Sequence, residues 1–293
     1  MAAELELLPL GPVTNLDTRV LIIGNGLVGK RLAKDFGEAA IVVDYPQVDV
    51  THQYQVEDLV LANPEAGIVV NAAGYTLVDK AQTEPRQAHL INVVGNRNVA
   101  MACEAAGRYA VFLSSETVFG NGQPGREFDE SEIPPVFMSP RIRGVYGTSK
   151  AMGEFEAWSY FVQGGRGIIG RLSYPSDRES GYFPKVLKFP GLNDDCEIVT
   201  TLTPEIAPAI AQAYRLKVTG KVLHLVGTKT SPFEFGNEAR RRMGVSPAPP
   251  IKVIPNPDRA PRPQYGLLSR EKTHELLDFR LRTTSEQLDY LTS

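Results

Sequence analysis

Short apolar runs without polar alternation punctuate the first two-thirds of the chain: Val20-Leu21-Ile22-Ile23, Ala40-Ile41-Val42-Val43, Gly67-Ile68-Val69-Val70, Ala110-Val111-Phe112-Leu113 and Gly167-Ile168-Ile169. Such a run predicts a strand covered on both faces, because neither set of alternating side chains can be left to water. Val222-Leu223-His224-Leu225-Val226 predicts a further strand of the same sheet. Between the runs the pattern turns helical: Lys30 to Phe36, Gln53 to Ala62, a long helix opened by Pro85 and running through Ala106, and Gly147 to Gln163. Pro204 to Leu216 is expected as a helix made irregular by Pro208, and Pro232 to Met243 as one whose Arg240-Arg241-Arg242 complement the helix C-terminus. Strands alternating with helices imply an α/β fold with a doubly wound parallel sheet, whose ligands lie at the strand carboxyl ends.

The remaining segments are irregular and rich in proline, especially Pro247 to Pro263. They predict a smaller lobe interleaved in sequence with the sheet. Residues 1–17 are read as an N-terminal arm and residues 18–171 as the Rossmann-type domain, to which 201–227 return. Residues 172–200 and 228–293 are read as the substrate lobe. In the arm, Leu5, Leu7, Leu8 and Leu10 offer an apolar edge for packing, a loosely ordered tail being the alternative.

Composition narrows the chemistry. With 42% hydrophobic and 22% charged residues in 293, the chain has the make-up of a soluble globular protein. A net charge of -3 provides no attraction for nucleic acid or an anionic membrane. Cys103 and Cys196 make no disulfide framework, and the four histidines lack metal-ligand spacing, so no metal is expected. No apolar run reaches a membrane span and the N-terminus lacks the basic region of a signal peptide, which points to the cytoplasm.

Against that background the glycine motif Gly24-Asn25-Gly26-Leu27-Val28-Gly29 stands out, since it joins a buried strand to a helix. Its glycines permit a tight turn and close backbone approach, and the helix N-terminus offers unpaired N–H groups to a pyrophosphate; a simple glycine turn is the alternative. Asp44, twenty residues after Gly24, is placed to accept from adenosine ribose hydroxyls and to repel a 2′-phosphate, which favours NADH over NADPH. Asp49 suits either the adenine amino group or a helix N-cap. Asn71-Ala72-Ala73 supplies small residues at a strand end, and Ser115 follows the next strand as a donor to a substrate oxygen. Tyr146 and Lys150, four apart on one helix face, form an acid pair in which the ammonium is expected to lower the phenol pKa.

Together these residues resemble the extended short-chain dehydrogenase/reductases, and most of all the dTDP-4-dehydrorhamnose reductase family with its relative, the regulatory β subunit of methionine adenosyltransferase. The likeness rests on Val70-Asn71-Ala72-Ala73-Gly74-Tyr75, Glu84-Pro85, Asn92-Val93, Leu113-Ser114-Ser115 with Val118-Phe119, Tyr146-Gly147-Thr148-Ser149-Lys150 and Arg262-Pro263-Gln264-Tyr265. It implies a ketone reductase with Tyr146 as general acid, Lys150 on the nicotinamide ribose and Ser115 on the substrate oxygen. NAD(P)H is expected against Gly24, Asn25, Gly26, Leu27, Val28, Gly29, Asp44, Asp49, Val50, Asn71, Ala72, Ala73, Tyr75, Asn92 and Lys150. A nucleotide-linked 4-keto sugar is expected near Glu116, Thr117, Val118 and Arg262, with Arg141, Arg143 and Lys185 as further candidates for phosphate. The substrate half departs from the family pattern: Glu116-Thr117 replaces Asp-Tyr, Val136 to Val145 is inserted, and Leu172-Ser173-Tyr174-Pro175 lacks Ser-Trp. The alternatives are a regulatory subunit that binds the nucleotide without turnover, or a reductase of a non-sugar ketone; a self-dimer with turnover would exclude the regulatory subunit, and a homodimer is allowed for.

Overall fold

Six parallel strands form the central sheet of this computed structural model, which describes residues 5–135, 140–253 and 259–293. The Arg141 side chain, the start of the insertion at Val136 and the middle of the Pro-rich run lie outside the described residues. The chain first lays down β1 (Arg19–Ile23), α1 (Leu27–Phe36), β2 (Ala40–Val43), α2 (Gln53–Leu61) and β3 (Ala66–Asn71). It continues through α3 (Val78–Ala81), α4 (Pro85–His89), α5 (Gly95–Ala106), β4 (Tyr109–Ser115), β5 (Glu127–Phe128), α6 (Pro140–Val162) and β6 (Arg166–Leu172). After α7 (Phe183–Val186), β7 (Leu192–Asn193) and α8 (Ile206–Arg215), β8 (Lys221–His224) completes a sheet of order β2-β1-β3-β4-β6-β8. The order reverses between β1 and β3, and that switch point opens a crevice at the strand carboxyl ends.

Both faces of the sheet are covered, which is why its strands lack alternation. Val20, Ile22, Ile68, Val70, Val111 and Leu113 pack toward α1 and α8, while Leu21, Ile23, Val69, Ala110 and Phe112 pack toward α2, α5 and α6. Each large aliphatic chain so buried contributes roughly 1.5–3 kcal/mol. Pro208 causes no irregularity in α8, contrary to expectation. It falls in the first turn, where its missing N–H would have had no helical partner.

Pro85 does open the long helix, but the helix changes pitch: Leu90–Val94 is a π turn between α4 and α5. A π turn rotates the side chains that follow it, and here it carries Asn92 to the loop after β3 and to α6. Two glycines then let α6 sit abnormally close. A Cβ on Gly153 would lie 2.2 Å from the Asn92 carbonyl oxygen, and one on Gly147 would lie 2.6 Å from that of Thr117. Helix α6 also starts earlier than expected, taking in part of the insertion, and bends at Gly144, whose φ of 78° suits glycine.

The lobe gathers around α7, β7 and α9 (Pro232–Arg242), with β9 (Pro250–Ile251) paired to β7. Phe183, Val186, Leu192, Phe235 and Ala239 form its core, joined by Leu288 and Leu291. Arg240 is buried and donates to the carbonyls of Val186 (2.9 Å) and Ser246 (3.0 Å), so it ties the lobe together instead of serving mainly the helix end. The C-terminal run adds β10 (Leu267–Leu268), α10 (Glu271–Leu277) and α11 (Thr284–Thr292). Leu277 and Leu281, assigned from sequence to the lobe, pack into the core of the sheet. The arm is anchored there too: Leu8 is buried and its N–H donates to Arg280 O at 2.9 Å. Among the described residues no helix is long and apolar enough to cross a membrane.

Replacing Gly153 with Ala forces a methyl into the Asn92 carbonyl. We expect a loss of about 2–3 kcal/mol, from the usual cost of overpacking, measured as a lower denaturant midpoint; an unchanged midpoint would refute the close contact.

Candidate active site

A cleft of about 1790 Å³ runs from the glycine turn, along the carboxyl ends of β3 and β4, to the lobe. That exceeds the roughly 300–1,000 Å³ of a site for one small ligand, so a dinucleotide and a second molecule fit together.

At one end the three glycines do different work. Gly24 has φ +106° and a Cβ there would meet Ala73 N at 2.5 Å, while a Cβ on Gly29 would strike the Gly24 carbonyl at 1.9 Å. These two allow the turn to close on itself and on the end of β3. Gly26 has open space and lines the cleft, and as N-cap of α1 it leaves the first-turn N–H groups without a side-chain partner. A bare cradle at a helix N-terminus fits a pyrophosphate. Leu27, Val28, Ala72 and Ala73 line the same end. Asp44 stands at the carboxyl end of β2, where Oδ1 accepts from Tyr45 N at 2.9 Å.

Several residues expected at the cofactor are hydrogen-bonded within the scaffold. Asp49 is occupied by a local turn, accepting from Thr51 N at 2.9 Å and Thr51 Oγ1 at 2.8 Å. Val50 is buried against Gly95, and its carbonyl accepts from Asn98 Nδ2 at 2.8 Å. Asn71 Nδ2 donates to Asn96 Oδ1 (2.7 Å), whose own Nδ2 donates to Gly153 O (3.0 Å). Asn92 accepts from Tyr75 N (2.9 Å) and donates to Ser149 Oγ (2.8 Å), and Tyr75 donates to Glu84 Oε2 (2.6 Å). A buried amide must satisfy both its ends, and these do so by clamping β3, the π turn and α6 together.

In the middle of the cleft Ser115, Glu116, Thr117, Tyr146 and Lys150 converge. Ser115 arrives at the end of β4; Tyr146 and Lys150 arrive on α6, brought near by Gly147. The electrostatics differ from the spacing argument. Burial penalises the phenolate and Glu116 adds negative charge, so the Tyr146 pKa is driven well above its usual value, opposed by a hydrogen bond with Ser115. Lys150 does not lower it, because Nζ is turned into the protein and donates to Leu113 O at 2.6 Å. Burial brings Lys150 itself down to about 8, opposed by Glu154. Tyr146 therefore holds its proton at neutral pH, as an acid must. Ser115 Oγ donates to Glu116 Oε2 at 2.7 Å and accepts from Thr117 N (3.3 Å) and Thr117 Oγ1 (3.2 Å).

Toward the lobe, Thr117, Tyr174, Tyr182, Lys185 and Arg262 line the cleft. Three of the residues expected here have partners within the protein. Arg262 is already engaged, with Nη1 and Nη2 donating to the Asp79 carboxylate at 2.8 and 3.1 Å. Arg143 is buried and donates to Val118 O (2.6 Å) and Pro135 O (2.8 Å), bracing the turn after β4. Val118 is wholly buried among Phe119, Phe128, Val199 and Val226, out of reach of a ligand.

Beneath the site lies a charged network that the sequence reading left out. Arg171, with 0% exposure, donates from Nε and Nη2 to Glu154 at 2.9 and 2.8 Å, and its Nη1 lies 3.1 Å from His224 Nε2. Burial and Arg171 hold His224 down at about 3, so its ring is neutral and Nε2 accepts. Ser114 Oγ donates to Glu154 Oε1 at 2.5 Å. The signal was available: Tyr146, Lys150 and Glu154 fall four apart on one helix face, and Arg171 ends an apolar strand.

The family described as "RmlD substrate binding domain" matches residues 18–292. A dTDP-4-dehydrorhamnose reductase of Mycolicibacterium smegmatis is 28% identical over 285 residues, covering 87% of this chain and 79% of the relative. One from Streptomyces griseus is 27% identical over 281 residues, covering 87% and 86%. Among solved structures, a dTDP-4-dehydrorhamnose reductase of Bacillus anthracis in complex with NADP superposes with a TM-score of 0.81 at 24% identity, covering 95% of this chain and 99% of that one. At that identity the likeness speaks for the fold. These comparisons lend no support to the link with a methionine adenosyltransferase subunit.

Glu154→Gln leaves the Arg171 charge buried with no counter-charge among its described partners. A loss of about 3–5 kcal/mol is expected, the usual cost of breaking a buried pair, and chemical denaturation measures it; a change under about 1 kcal/mol would mean the pair acts like a surface one.

Proposed function

Because this chain belongs to the RmlD substrate binding domain family, and with it to the NAD(P)-dependent reductases of the extended short-chain dehydrogenase/reductase type, we propose that it reduces the keto group of a nucleotide-linked 4-keto sugar in the cytoplasm. The observation that carries this reading is the convergence of Ser115, Tyr146 and Lys150 in one cleft with the open N-terminus of α1. A reduced nicotinamide supplies a hydride to the carbonyl carbon when bound there. Negative charge then develops on the carbonyl oxygen, and the protein's task is to neutralise it. Tyr146 carries the proton for that oxygen, and its high pKa means the proton is present at every physiological pH. Ser115 orients the oxygen by donating a hydrogen bond from the other side. Lys150 gives one N–H to Leu113 O and has others to offer a ribose hydroxyl.

At the lobe end, Lys185 is a cation on the cleft wall suited to a sugar-nucleotide diphosphate, and Arg262 becomes one when an anionic ligand displaces Asp79. The length of the cleft supports a substrate larger than a simple ketone. Asp44 supports NADH as the preferred reductant, since a carboxylate there repels a 2′-phosphate.

The direct test is NADH oxidation against a panel of nucleotide-linked 4-keto sugars and simple ketones. Tyr146→Phe is expected to lower turnover at least a hundredfold, the usual scale of losing a general acid, with NADH affinity unchanged by fluorescence titration. Turnover within twofold of the parent would remove Tyr146 from the mechanism.

Asp44→Asn removes the charge that disfavours the 2′-phosphate. The NADPH-to-NADH ratio of kcat/KM should rise about tenfold, equivalent to about 1.4 kcal/mol; a parent enzyme that already prefers NADPH would contradict the role given to Asp44.

A further inference from the structure

Ser115 has a single proton to give, and two oxygens stand near to take it, the Glu116 carboxylate and the Tyr146 hydroxyl. Two donors from Thr117, the N–H at 3.3 Å and Oγ1 at 3.2 Å, already point at its oxygen. Its own hydrogen is directed to Glu116 Oε2 at 2.7 Å. Glu116 is 8% exposed, is the sole carboxylate among the described residues that line the cleft, and has no ion pair to a cation among them. A carboxylate is a much stronger acceptor than a neutral carbonyl or carboxyl oxygen. While Glu116 is ionised, a substrate carbonyl therefore competes poorly for the Ser115 proton.

We propose that Glu116 is a positioning residue that decides, through Ser115, whether the serine hydroxyl is offered to the substrate oxygen, and that its neutral form is the one competent for reduction. The inference rests on the reading of the cleft as a keto-reductase site. It departs from the sequence expectation, in which Glu116 was simply a substrate contact. Protonation converts Glu116 from a sink for the serine proton into a hydrogen-bond donor, and frees Ser115 to turn outward. The same event removes the negative charge that holds the Tyr146 pKa up, so both groups around the substrate oxygen become better donors together.

The surroundings favour this switch near neutrality. Burial pushes Glu116 up to about 7, opposed by the bond from Ser115 and by the N–H groups of Glu116 and Thr117. Among the described residues its charge acts on Tyr146 and Tyr174, and Lys150, Tyr182, Lys185, Cys196, Lys252, Arg259 and Arg262 share the cleft with it. Arg143 donates from Nη1 to the carbonyls of Val118 and Pro135, while its buried Nε and Nη2 have no hydrogen-bond partner; Lys150 donates to Leu113 O and Arg262 to Asp79. Among the described residues no cation makes a direct bond to Glu116, and what opposes the effect of burial is the Ser115 hydroxyl with the two N–H groups.

The sign follows. A carboxyl titrating near 7 is neutral below that pH, so kcat/KM for ketone reduction should fall about twentyfold between pH 6 and pH 8, about tenfold from Glu116 and about twofold from Lys150. In Glu116→Gln, which cannot ionise, the fall over the same range should be less than about twofold, that remainder belonging to Lys150. A variant that keeps the full fall would overturn the inference. If no keto sugar is turned over, the reductase reading fails, and the inference is decided instead by infrared spectroscopy of the parent protein. A protonated-carboxyl band that disappears near pH 7 supports it; titration in the ordinary carboxylate range overturns it. Ser115→Ala assigns the band even if the Gln variant does not fold. Losing the bond that favours the carboxylate must move the midpoint upward, and an unmoved midpoint would separate the two groups and sink the proposal.

Discussion

Arg171 lies at the end of a central strand with no exposure to water, and the structure depends on how that charge is met. An isolated guanidinium there would be prohibitive; two hydrogen bonds to Glu154, a neutral His224 and the face of Phe119 make it tolerable. Because the partners come from β6, α6 and β8, the requirement sets how these elements sit against one another. Glu154 is one helical turn from Lys150, and Lys150 one turn from Tyr146. The constraint that neutralises Arg171 thus also aims the acid pair at the cleft.

Close packing makes the constraint sharp. Gly147 and Gly153 let α6 approach the turn after β4 and the π turn so closely that a methyl group would collide with backbone oxygen at either place. The amides of Asn71, Asn92 and Asn96 then bridge the layers from within. Glycine provides the room and asparagine the adhesion. A site that must hold two ligands in line gains from such rigidity, since orientation is a large part of what positioned groups contribute to a rate.

Within that frame the acid and its neighbours are governed by burial more than by pairing. The expectation that Lys150 would lower the Tyr146 pKa treated the helix face as if it were in water. In the folded protein Lys150 is committed to a carbonyl, Tyr146 is shielded, and the nearest charge influencing the phenol is negative. The outcome is a phenol firmly in its acidic form, with a carboxyl alongside that titrates where the lysine was expected to exert control.

Local signals carried a large share of this protein. Apolar runs marked the strands because a strand covered on both faces can carry no polar side; the glycine turn, the Tyr146-Lys150 spacing and Ser115 after a strand were legible because each is a local pattern with a local cause. What the sequence by itself determined was therefore the parallel α/β sheet and the glycine turn that joins its first strand to its first helix. Only the tertiary structure decided which polar residues face the cleft and which hold it together. Asp49, Asn71, Asn92 and Arg143 carry the same letters whether they meet a ligand or a neighbouring segment of the chain. Their fate was settled by partners 2 to 57 residues away in the chain, and the pKa values of Tyr146, Lys150 and Glu116 by the burial those contacts create.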